Sequence, residues 1–250
     1  MNTAKIIGIT HPIIEGVETA EDFIAYTARV SNPSNQHNNE TAPKLLKYLL
    51  NHKHFSPFEM VNVVMDITTT RDISHQIIRH RSFSFQEWSQ RYADPTKDLG
   101  FVTREARLQD AKNRQNSIET DDEQLEHTWK VKQKQITLGA KNTYNWAIAN
   151  GIAKEQARAI LPEGLTSTRL YMAGTLRSWI HYIDVRAEAS TQKEHRQVAL
   201  AAQKEILQHF PSLKEYWFPT VEIREYTGTP PTCDKCFKPL VDNKPWWRFW

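Results

Sequence analysis

The chain reads as a mixed helix-and-strand protein, α+β among the folds that fit, built as one domain. Three observations carry this: a β-branched, partly alternating run, several stretches of helical spacing, and 250 residues, enough for one full core. Hydrophobic residues make up 39% and aromatic residues 10% of the chain, yet mean hydropathy is −0.63. A polar exterior therefore surrounds aromatic side chains kept for the core, a pocket or a subunit interface.

Residues 6–9 read as a short strand. A helix opens at Thr19, where the hydroxyl can cap free amides and Glu21 and Asp22 complement the helix dipole; it carries Phe23, Ala28 and Val30 into a loop at 31–35. Pro43 begins a second helix with the apolar stripe Leu45, Leu46, Leu49 and Leu50. Residues 60–69 are the clearest strand, and 71–80 return to helical spacing, which would put Gln76, Arg79 and His80 on one face. The mixed-charge stretch 96–126 is expected to be a surface excursion. A long helix follows over 125–150, with Trp129, Ile136, Tyr144 and Ile148 as core contacts and Gly151 as its stop. Short and longer helices are expected over 153–161, from Ser167 or Thr168 to 182, and over 190–210. Residues 1–220 would form the main folded domain and 221–250 an aromatic, Pro-rich tail.

The formal charge of +3, from 32 basic and 29 acidic residues, is too balanced for a protein that coats nucleic acid. No apolar run approaches the roughly 20 residues needed to cross a bilayer, and the opening residues lack the apolar centre of a signal peptide. A soluble cytoplasmic protein with no membrane partner is expected. The two cysteines, Cys233 and Cys236, form a lone C-x-x-C that cannot close a zinc site by itself; free thiols are expected and no metal is assigned, the alternatives being a metal shared across subunits or a redox pair. Residues 1–232 contain no thiol nucleophile.

Chemistry concentrates between Arg79 and Arg91, where three arginines, His80 and Glu87 stand among serines and glutamines. Guanidinium forks match phosphate oxygens, and the neutral groups add directional hydrogen bonds, so a nucleotide is the first ligand to consider. Alone, such a cluster is most often solvated surface or a salt-bridge hub. Glu87 has Arg91 four residues on as a simple partner, and Glu155 and Asp184 are acids that Arg158 and Arg177 could bridge.

Arg79-His80-Arg81, seven residues and then Ser89 form R-H-R-x7-S, and here the chain strongly resembles the flavin-dependent thymidylate synthases. Further matching blocks are Ala28-Arg29-Val30-Ser31, His54-x-Ser56-Pro57-Phe58-Glu59, Ala157-Arg158-x-x-Leu161-Pro162, Arg177-x-x-x-His181-x-x-x-x-Arg186 and Gln192-x-Glu194. They run in the family's order over roughly residues 28–200.

The resemblance implies an α+β fold with a largely antiparallel sheet flanked by long helices, and a homotetramer with sites shared between subunits. It implies FAD as cofactor, with NADPH and methylenetetrahydrofolate as co-substrates and dUMP methylated to dTMP. No enzyme cysteine attacks the pyrimidine in that family, in keeping with the tail-only thiols here. Carried over, the activating residue is Arg186. The flavin contacts fall on Ser56, Arg79, His80, Arg81, Glu87, Thr175, Leu176, Arg177 and His181. The dUMP contacts fall on Gln76, Arg79, Glu87, Ser89, Arg91, Arg158 and Arg186, with Ser89, Arg91 and Arg158 toward the phosphate and Gln76 and Arg186 toward the ring. His54 and Ser31 are weaker candidates near the flavin. Thr175 and Gln86 depart from the Asn that many members carry. Competing readings are a nucleic-acid platform built on Arg79, Arg81 and Arg91, which the balanced charge opposes, and a flavin-dependent methyltransferase acting on uracil in RNA.

Overall fold

The computed structural model describes residues 2–218; Cys233, Cys236 and the Trp-rich tail lie outside them. In chain order the elements are β1 (Thr3–Ile9), α1 (Ala20–Ala28), α2 (Ala42–Asn51), β2 (Asn62–Thr70), α3 (Arg71–Ile77), β3 (Ser84–Glu87), the single turn α4 (Pro95–Asp98), β4 (Arg107–Gln109), β5 (Ser117–Glu119), α5 (Glu123–Ala149), the single turn α6 (Lys154–Ala157), β6 (Ser167–Thr175), α7 (Leu176–Arg186), α8 (Lys193–His209) and the single turn α9 (Lys214–Trp217).

Four strands form one antiparallel sheet in the order β1-β2-β6-β3. β2 and β6 pair without interruption from Asn62 opposite Thr175 to Thr70 opposite Ser167. Alternation then sends Val63, Met65 and Ile67 of β2 and Leu170 and Met172 of β6 into the core, where Trp179, Ile180 and Ile183 of α7 and Val198, Ala202 and Ile206 of α8 cover them. Trp179 is fully buried and its indole N–H donates to the Val63 carbonyl at 3.1 Å, so the largest core side chain leaves no polar atom unpaired. Elsewhere in the same strands Asp66 and Arg169 pair side by side at 2.8 Å.

Several sequence expectations are corrected. Residues 167–175 are strand, not helix: Ser and Thr at the start suggested a cap, but burial of Leu170 and Met172 with exposure of Arg169 and Tyr171 is strand alternation, and helix begins at Leu176. α3 stops at Ile77, so Arg79 and His80 lie beyond it, and Gln76 does not share a helical face with them. The expected 153–161 helix is α6 followed by a 3-10 turn, Arg158–Ile160. In α5 only Tyr144 of the four expected core contacts is buried; Trp129, Ile136 and Ile148 are exposed. Edge strand β3 was too short to stand out in the sequence.

The 96–126 excursion is a loop carrying the β4–β5 hairpin. Its turn is closed by the Asp110 carboxylate, which accepts from the Lys112 amide at 2.8 Å and the Asn113 amide at 3.1 Å. Arg107 and Glu119 tie the hairpin to Glu194 and Lys193 at the start of α8.

Candidate active site

The end of α3 and the end of α7 meet. His80, whose amide bonds back to the Ile77 carbonyl, turns its ring toward α7 and accepts the Arg186 Nε–H at its own Nε2 at 3.0 Å. Burial first, then the charge of Arg186, presses the His80 pKa down to about 4. The ring is therefore neutral near pH 7 and offers a bare lone pair to the guanidinium. Tyr182, one turn before Arg186, stands edge-on to His80 with ring centroids 5.0 Å apart.

Behind this pair lies a polar row, buried at Tyr182 and His195 and half-buried at Gln76, Gln192 and Glu194, that the sequence did not reveal. Tyr182 bonds His195 at 3.1 Å, His195 bonds Gln76 at 3.2 Å, Gln76 bonds Gln192 at 2.8 Å and Gln192 bonds Glu194 at 3.0 Å. Burial, then the Arg186 charge, holds the His195 pKa down to about 3. His195 stands on one stripe of α8 with Val198, Ala199 and Ala202, and a lone polar residue in such a stripe was the available signal.

A second group forms where β3 ends. Glu87 accepts from Thr168 at 2.7 Å, Ser74 at 3.1 Å and Arg71 at 3.3 Å, so its partner is Arg71 and not Arg91. The Ser89 hydroxyl accepts the Arg91 amide at 3.3 Å beside a cavity of about 320 Å³ that Trp88, Tyr92 and Tyr171 also line. Arg91 reaches Glu155 of α6 at 3.7 Å, and half-buried Arg158 follows one turn on.

A third group lies at the start of α7. Thr175 caps that helix by accepting the Ser178 amide and donates its hydroxyl to Glu59 at 2.6 Å, while Arg177 pairs with the other Glu59 oxygen at 2.8 Å rather than with Asp184. Arg177 and His181 line a cavity of about 560 Å³ with Phe55, Ser82, Ile180 and Tyr216. Leu176 is fully buried and its amide bonds the Val61 carbonyl, so its side chain belongs to the core. Ser56, His54 and Ser31 are exposed at the surface. Among the described residues four of the expected site arginines, Arg79, Arg81, Arg158 and Arg186, have no carboxylate partner and are left for an anionic ligand.

The structure thus brings Arg186, His80 and Gln76 into one region, and Arg177 and His181 into a neighbouring one, with His181 close enough to His80 to help lower its pKa. Among the described residues no hydrogen bond or ion pair joins the Arg186 group to Ser89, Arg91 and Arg158.

The model of the family described as thymidylate synthase complementing protein matches residues 13–212. The chain belongs to this family, that of the flavin-dependent thymidylate synthases. A probable flavin-dependent thymidylate synthase of Paramecium bursaria Chlorella virus 1 is 48% identical over 211 residues, 84% of this chain and 96% of the relative. The flavin-dependent thymidylate synthase of Synechocystis sp. is 48% identical over 212 residues, again 84% of this chain and 96% of the relative. Among solved structures, the UMP/dUMP methylase PolB from Streptomyces cacaoi bound with 5-Br dUMP shares the fold with a TM-score of 0.72 at 22% identity, over 87% of this chain and 95% of that one. Family membership confirms the α+β fold with its antiparallel sheet. Among the described residues no helix is long and apolar enough to cross a membrane, and no His, Cys, Asp and Glu cluster could hold a metal ion.

Proposed function

We propose that this chain is a flavin-dependent thymidylate synthase that converts dUMP to dTMP, with FAD as the flavin and NADPH and methylenetetrahydrofolate as co-substrates. The observation that carries it is the Arg186 guanidinium, fixed by a neutral His80 in a chain whose only thiols are Cys233 and Cys236. Where no thiolate attacks the ring, C5 of the pyrimidine gains nucleophilic character when charge spreading onto the ring oxygens is stabilised by a fixed cation. Arg186 spends Nε–H on His80 and keeps its terminal N–H groups for that task, already oriented before the substrate arrives. Gln76 adds a second contact to the ring.

The residues present fit a flavin. The cavity of about 560 Å³ has apolar walls in Phe55 and Ile180 beside the Arg177 cation, and Arg79 and Arg81 are unpaired cations suited to a diphosphate. Bound there, the flavin would supply hydride chemistry. On this reading Ser56, His80, Glu87, Thr175, Leu176 and His181 make up the surroundings, Thr175 and Glu87 acting through their hydrogen bonds and Leu176 through the core. Ser89, Arg91 and Arg158 would hold the dUMP phosphate. A homotetramer whose sites are completed by residues of neighbouring copies is what the family resemblance implies.

The test is mass-spectrometric detection of dTMP after anaerobic incubation with dUMP, methylenetetrahydrofolate, FAD and NADPH, with flavin-stripped protein as control. Flavin-dependent dTMP is the expected result. Arg186→Ala should abolish dTMP while the protein still binds FAD; unchanged turnover in that variant would exclude the role given to Arg186.

A further inference from the structure

The row of hydrogen bonds between α3, α7 and α8 has a direction, and it is set from its carboxylate end. Burial works against charge on Glu194, yet its bonds to Arg107 and Gln192 and the nearby Arg104 hold its pKa below the usual carboxylate range, so it accepts and does not donate. Gln192 must therefore present Nε2 to Glu194, which leaves its Oε1 to accept from Gln76 Nε2. The Gln76 Oε1 then faces His195, whose Nδ1 has to carry the proton, and the bare Nε2 takes the hydroxyl hydrogen of Tyr182. Tyr182 and His195 are both fully buried, so no water competes for these positions.

We propose that His195 is a positioning residue: with Gln192 it locks the side-chain amide of Gln76 in one orientation, and the locked amide makes the site select uracil over cytosine. This rests on the reading of Gln76 as a contact to the pyrimidine ring. Uracil presents a donor at N3 and an acceptor at O4, whereas cytosine presents an acceptor at N3 and a donor at N4. Gln76 retains one free N–H and one free lone pair after its bonds to Gln192 and His195. A freely turning amide serves either base by rotating half a turn. A locked amide sets donor against donor for the wrong base, which in a desolvated site costs roughly ten- to hundred-fold in affinity.

The test compares binding of dUMP and dCMP to the flavin-loaded protein by calorimetry in the wild type and in His195→Ile, His195→Asn and Gln76→Ala. His195→Ile should narrow the dUMP-to-dCMP affinity ratio by roughly tenfold, the low end of that range. His195→Asn, whose amide nitrogen can stand near Nδ1 and donate to Gln76, should restore most of the ratio. A purely structural loss would weaken both nucleotides alike, so an unchanged ratio in His195→Ile, or equal losses in the Ile and Asn variants, overturns the proposal. Should His195→Ile not fold, Gln192→Leu carries the test of the lock, because it removes the other bond that holds the Gln76 amide; an unchanged ratio there is equally decisive. If Gln76→Ala keeps the wild-type ratio, the ring contact itself fails and takes the proposal with it. If Gln76→Ala narrows the ratio and His195→Ile does not, the role of His195 alone fails.

Discussion

His80 and His195 make the protein acid-sensitive in a definite window. Their pKa values are pressed down to about 4 and about 3, first by burial in each case, whereas in the unfolded chain a histidine titrates near 6.5. Between pH 6.5 and about 4 the unfolded chain therefore binds protons that the folded chain refuses, and stability falls as pH falls. Each unit of depression corresponds to about 1.4 kcal/mol, discounted for the partly exposed His80, so the buried His195 contributes the larger share. Urea midpoints measured from pH 7 down to pH 4 should fall steadily, and His195→Ile should flatten that slope. Lys53 offers a gain in stability instead: it follows α2 with φ at 56°, a left-handed conformation without need of its side chain. Lys53→Gly should raise the melting temperature, by about 0.5–1 kcal/mol in stability. At this scale the sequence displays its arginines plainly, because the R-H-R-x7-S spacing is local in the chain and is visible without the fold. It does not display Glu59 beneath Arg177 or Tyr182 behind His195, because those partners meet only when distant segments pack.

At the scale of elements, β6 decides the architecture, and it was the segment read least well. Its period of two was present in Leu170 and Met172, but Ser167 and Thr168 at the start matched helix capping. The helices with long apolar stripes, α2 and α8, were legible because their pattern repeats over several turns and needs no partner to be seen. Gly174 also has a packing role in β6. A Cβ placed there would lie 2.4 Å from the Phe83 ring, and Phe83 in turn packs edge-on to Trp179 at 4.9 Å. Gly174→Ala must displace that ring from the core, at a cost of about 1–3 kcal/mol. Because Phe83 lies between His80 and β3, the variant should lose affinity for both flavin and dUMP along with thermal stability. A melt unchanged from wild type would mean that Phe83 has room to swing away.

At the scale of the whole molecule, α5 has more apolar surface than the described residues cover. Leu125, Trp129 and Ile136 lie four and seven residues apart on one side, Val131 and Leu138 lie seven apart on another, and all five are exposed. The sequence made this helix legible and its burial wrong for the same reason: periodicity records that a face is apolar, not which chain will cover it. With 27 residues the helix is about 40 Å long, so two apolar stripes along it present more surface than a soluble monomer ordinarily leaves in water. A helix apolar on two sides suits a position between copies. Ile136→Asp combined with Leu138→Asp should then lower the mass seen by light scattering toward that of a monomer, 29.1 kDa, and abolish turnover without removing the secondary structure seen by circular dichroism. Mixing Arg186→Ala protein with Arg158→Ala protein, after partial dissociation and reassembly, should regenerate activity that neither possesses, because some sites in the mixed oligomer would draw an intact Arg186 from one copy and an intact Arg158 from another. Assembly without any regained turnover would place both arginines of each site in a single chain.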